Sequence, residues 1–136
     1  MTKVLSFLVM FLISYHAYAM QATVGYVFDG DTFAAVAHVD KNTDINVRVR
    51  IANVDTPEMH GACEYETQRA NMARMRLMEI IPNGATVELK NIKDDKYAGR
   101  IDANVILPDG RDVGKILISE KLGRAYNGGR RMGWCE

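Results

Sequence analysis

The chain has 136 residues, 48% of them apolar and 25% charged, with 17 Lys+Arg against 17 Asp+Glu. That length supports one domain around a single core and excludes two. A formal net charge of zero excludes attraction of a polyanion by bulk charge, so any anionic ligand needs a locally built site.

The N-terminus reads as an export signal. Lys3 supplies a positive start, residues 4–14 are almost wholly apolar, and Ala17-Tyr18-Ala19 places small residues where a signal peptidase reads. Residues 1–19 are therefore expected to be a signal peptide and 20–136 the folded domain, periplasmic or secreted. The apolar run falls short of the roughly 20 residues that span a bilayer, and no second such run follows. No cysteine stands at the new N-terminus to carry a lipid. No membrane anchor is expected after cleavage.

Residues 24–28 and 32–39 are apolar, β-prone runs separated by Asp29-Gly30, a hairpin signal. Polar residues 40–44 make the next turn. In 45–51 the side chains alternate, with Val47, Val49 and Ile51 on one face and Asn46, Arg48 and Arg50 on the other. From Glu64 to about Ile81, Ala70, Ala73, Leu77 and Ile80 or Ile81 recur at helical spacing until Pro82-Asn83-Gly84 stops the helix. Met72, Met75 and Met78 read as filler of core or surface. Residues 86–89 and 101–107 read as strands, Asp109-Gly110 as a turn and 113–122 as a short helix. The fold class is mainly β with α: a five-stranded OB-fold barrel, with a helix between strands 3 and 4 and a short C-terminal helix.

Cys63 and Cys135 are the only cysteines. An even count in an exported chain favours a disulfide, and one pairing is available. Their spacing fits no zinc motif. The stretch from Arg111 onward, with Lys115, Lys121, Arg124, Arg130 and Arg131, carries a mild basic bias.

Three segments carry chemistry: Asp29-Gly30-Asp31-Thr32, then Arg50 with Val54-Asp55-Thr56-Pro57-Glu58, then Asp95-Lys96-Tyr97-Ala98-Gly99-Arg100. Each alone can be a turn or a solvated strand face. Together they supply carboxylates that can converge at one end of a small sheet. Asp31, Asp55 and the Thr56 carbonyl suit Ca²⁺, which takes oxygen ligands in a flexible shell; Mg²⁺ or Mn²⁺ also fits. Arginine forks match the oxygens of a phosphodiester, and a carboxylate such as Glu58 can take a proton from an attacking water.

These segments, in this order, resemble the thermonuclease, or staphylococcal-nuclease-like, family, from about Val24 to Trp134. The resemblance implies a calcium-dependent endonuclease on DNA and RNA that leaves 3′-phosphate ends. It implies metal ligation by Asp31, Asp55 and Thr56, with Asp29 behind them, and catalysis by Arg50, Arg100 and Glu58. Lys96, Tyr97 and Tyr126 become contacts to the nucleotide. No protein partner is implied, and a monomer is expected. The alternative is an OB-fold nucleic-acid-binding module without catalysis, which would not need that base with both arginines.

Three departures from the family's prototype stand out. Ala98 and Gly99 add one residue before Arg100. The long third helix is missing, so a disulfide is expected to pin the C-terminal tail to the start of the first helix. Strict alternation from Arg50 would turn Asp55 away from the site, so a bend is expected near Ala52 and Asn53. His60 reads as a solvated loop residue and Trp134 as a packing residue.

Overall fold

The computed structural model describes residues 19–135. The expected signal segment, but for Ala19, lies outside the described residues. Seven strands and two helices follow in the order β1 (Met20–Asp29), β2 (Thr32–Asp40), β3 (Thr43–Ile51), β4 (Val54–Asp55), α1 (Glu64–Ile80), β5 (Thr86–Asp94), β6 (Arg100–Ile106), α2 (Val113–Ser119) and β7 (Arg124–Ala125). Among the described residues no helix is long and apolar enough to cross a membrane.

Five strands close a barrel in the order β1-β2-β3-β6-β5, while β4 and β7 form a separate two-stranded sheet. The β3–β6 pair is parallel and the other barrel pairs are antiparallel. Helix α1 falls between the third and fourth barrel strands, which is the OB order expected. Strand β1 serves two neighbours, β2 along its length and β5 through Met20–Thr23. Its pairing with β2 shifts between Val24 and Val27, and such an irregularity bends the strand so that the sheet can close.

The alternation in β3 has its physical counterpart: Val49 and Ile51 are fully buried, facing Phe33, Leu89 and Val105 in the core. Helix α1 contributes Ala73, Leu77 and the residue after its end, Ile81, to the same core. The methionines point away: Met72, Met75 and Met78 are all exposed. Helix α2 ends at Ser119, earlier than expected, yet Leu122 stays buried because its N–H bonds the Leu117 carbonyl.

The first hairpin turns on Gly30 and Asp31, one residue later than Asp29-Gly30 alone suggests, with Asp29 paired to Thr32. Gly30 is dictated by packing. A Cβ there would stand 2.7 Å from the Ala73 Cβ and 2.9 Å from the Thr56 Oγ1. The tip therefore lies against α1 and the start of the Thr56 loop, which brings two of the chemistry-bearing segments together.

Candidate functional site

One cleft of about 940 Å³ runs across the end of the barrel where these segments meet. Asp29, Asp31, Arg50, Glu58, Lys96, Tyr97, Arg100 and Tyr126 all line it. Asp55 and Thr56 are absent from its walls and lie buried behind them. His60 is exposed and lies outside the cleft.

The hairpin tip presents Asp31 in a fixed pose. Its N–H donates to the Asp29 Oδ1 at 3.0 Å, and its carboxylate accepts from the Thr32 hydroxyl at 3.1 Å and the Thr56 N–H at 3.2 Å. That last bond joins the first segment to the second. Arg50 stands 3.5 Å from the Asp31 Oδ2 through its Nη2. Its Nη1 donates to the carbonyls of Ile51 and Val54 at 2.7 and 2.9 Å, so the guanidinium also ties down the turn between β3 and β4. At that turn Asn53 adopts a φ of 67°, the bend that strict alternation required.

Crowding of carboxylates leaves a mark on Asp29. Burial, then the negative charges of Asp31 and Glu58, push its pKa up from 3.8 to about 7. Carboxylate oxygens that repel one another are donors a hard cation can relieve.

The third segment delivers Arg100 to the same cleft despite the extra residue. Gly99 takes a φ of 75°, a conformation glycine adopts freely, and Arg100 begins β6 in parallel register opposite Arg48. Its Nε lies 2.9 Å from the Asp95 Oδ2, and its guanidinium lies over the Tyr97 ring at 4.5 Å. Burial alone would raise Asp95, but the Arg100 guanidinium, the Tyr97 N–H and the Asp102 carboxyl outweigh it and hold the group at about 2.

Glu58 is held from behind by a residue the sequence did not single out. Glu66, buried in the first turn of α1, accepts the Glu58 N–H at 3.4 Å and the Ala62 N–H at 3.2 Å. Cys63 caps the same helix, its sulfur accepting the Glu66 N–H at 3.4 Å. Cys63 also forms a disulfide with Cys135, Cα to Cα 6.1 Å, which fixes the tail to the start of α1 as expected and is compatible with an oxidising compartment. Trp134 packs beneath Arg124, whose guanidinium sits 3.6 Å from the ring centre.

Arg131 is the other site residue missed from sequence, where only a basic bias in the tail pointed to it. Its Nε and Nη2 donate to the Asp55 Oδ1 at 2.9 and 2.6 Å, and its Nη1 pairs with the Glu58 Oε1 at 2.5 Å. The two carboxylates outweigh the effect of burial and raise its pKa, so it stays charged. Asp31 is thus bonded to the residue after Asp55, but the Asp55 carboxylate faces the guanidiniums of Arg131 and Arg124. Among the described residues no group of three or more His, Cys, Asp or Glu side chains is placed to hold a metal ion. Compared with known proteins, the chain matches no family model and no curated protein.

Proposed function

We propose that this protein is an exported, calcium-dependent phosphodiesterase of the staphylococcal-nuclease-like type that cuts DNA and RNA. The observation that supports it most is the single cleft that collects Asp29, Asp31, Arg50, Glu58 and Arg100 from three separate segments. A cleft with arginines on its walls and carboxylates among them matches what in-line attack on a phosphodiester requires.

Asp31, Asp55 and the Thr56 carbonyl would hold the ion, which when bound neutralises charge on the phosphate and its reacting oxygens. Mg²⁺ or Mn²⁺ would satisfy the same oxygen donors. Arg50 and Arg100 bind the non-bridging phosphate oxygens, whose charge grows as the reaction proceeds. Glu58 accepts a proton from the attacking water as the new P–O bond forms. The bond from phosphorus to the 5′-oxygen breaks, the 5′-oxygen takes up a proton, and the product carries a 3′-phosphate. Lys96, Tyr97 and Tyr126 line the same cleft and would contact the sugar and base of the bound nucleotide. The basic tail adds local positive charge to a chain with none overall.

One observation favours the second reading, a nucleic-acid-binding module without catalysis: Arg131 already holds Asp55 and Glu58. The test is incubation of the oxidised protein with single- and double-stranded DNA and RNA, in Ca²⁺ and in chelator, with the product ends identified. Calcium-dependent fragments bearing 3′-phosphates support the phosphodiesterase. Tight binding of intact strands, unaffected by chelation, supports the module instead.

A further inference from the structure

The proposed cation and Arg131 compete for one oxygen of Asp55, whose other oxygen lies 3.9 Å from the Arg124 Nε. The Asp55 Oδ1 accepts two N–H groups from Arg131, and a calcium–carboxylate bond of roughly 2.3–2.6 Å would use the same lone pairs. The side chain of Asp55 is 2% exposed, that of Arg131 43%. Arg131 lines the cleft and Asp55 does not, so the guanidinium stands between the open cleft and the carboxylate.

The backbone around Arg131 is held on both sides. The Tyr126 hydroxyl donates to the Gly129 carbonyl at 2.7 Å. The Arg124 Nη2 donates to the carbonyls of Met132 and Gly133 at 2.8 and 2.9 Å. Four residues after Arg131, Cys135 is bonded to Cys63. The half-exposed side chain is held by its ion pairs to Asp55 and Glu58.

We propose that Arg131 is a displaceable internal counter-ion: it pairs with Asp55 and Glu58 while the site is without metal, and a divalent cation binds by driving it off Asp55. The tethered tail keeps the guanidinium at the cleft wall after displacement, so the competition is intramolecular and repeats at every binding event. Arg131 then sets the cation affinity of the site. This inference rests on the reading of Asp55 as a cation ligand and goes beyond it in assigning the tail a role.

The test is calorimetric titration of Ca²⁺ into the oxidised full chain at fixed ionic strength, wild type against Arg131→Gln, with a thermal melt of each to establish that it is folded. Removing the competitor should tighten Ca²⁺ binding by about tenfold, within the range usual for two coupled ligands. Arg131→Lys keeps the charge but loses the two-pronged grip, and should fall between the two. Equal affinities in wild type and Arg131→Gln would overturn the competition and leave the cation site standing. Weaker binding by Arg131→Gln would show that Arg131 supports the site, and would also overturn it. Absence of Ca²⁺ binding by both folded proteins would overturn the cation site itself, and the competition with it.

Discussion

Replacing Cys135 with Ser removes the cross-link while leaving the Cys63 sulfur to cap α1, so it isolates the contribution of the bridge. The two cysteines are 72 residues apart. In the loop-entropy model a closed loop of that size removes about 15 cal/mol/K from the unfolded chain, or about 4 kcal/mol at room temperature. For a domain of this size about 4 °C of melting temperature corresponds to 1 kcal/mol, which predicts a fall of roughly 15 °C. Turnover should fall with it, because Cys63 starts the helix whose Glu66 anchors the Glu58 loop. Thermal unfolding followed by circular dichroism, with the wild type in reductant as a parallel sample, measures the first. A fall of less than about 3 °C in both samples would refute the idea that the bridge is a major source of stability for this fold.

Arg100→Ala should lower kcat by about 10²-fold in steady-state cleavage assays, because its partner oxygens are most charged in the transition state. Glu66→Ala leaves the N–H groups of Glu58 and Ala62 without their acceptor; urea unfolding should show a loss of about 1–3 kcal/mol, and kcat should fall more than KM rises. Asp95 titrates at about 2 in the fold against an ordinary 3.8, so its stabilising effect is present above 3.8 and is lost as the pH falls through 2. Stability of Asp95→Asn, measured by urea unfolding between pH 4 and pH 2, should therefore change less steeply than that of the wild type.

The barrel was legible because its signals are local. The hairpin is written in a glycine that cannot carry a Cβ, and β3 in the alternation of Val49 and Ile51 with Arg48 and Arg50. Strand β5 was read only as far as Leu89 but runs to Asp94: beyond Leu89 the one apolar residue, Ile92, falls out of alternation where the register shifts between Lys90 and Lys93 and Asn91 takes a φ of 52°, so apolar patterning gave no signal there. Strands β4 and β7 have two residues each, too few for any period. The cleft residues Asp31, Arg50, Glu58 and Arg100 were found as neighbours in three short segments. Arg131 and Glu66 were not, because one reaches the site only through the disulfide and the Arg124 contacts, and the other acts on backbone N–H groups that sequence does not display.

The most direct measurement is the rate at which the oxidised protein cleaves end-labelled single-stranded DNA in Ca²⁺ and in excess chelator, with Glu58→Gln purified in the same way as the control for contaminating nuclease. The account predicts cleavage by the wild type in Ca²⁺, none in chelator, and a rate at least about 10²-fold lower for Glu58→Gln with DNA binding retained. Equal cleavage by wild type and Glu58→Gln, or full activity in chelator, would contradict it.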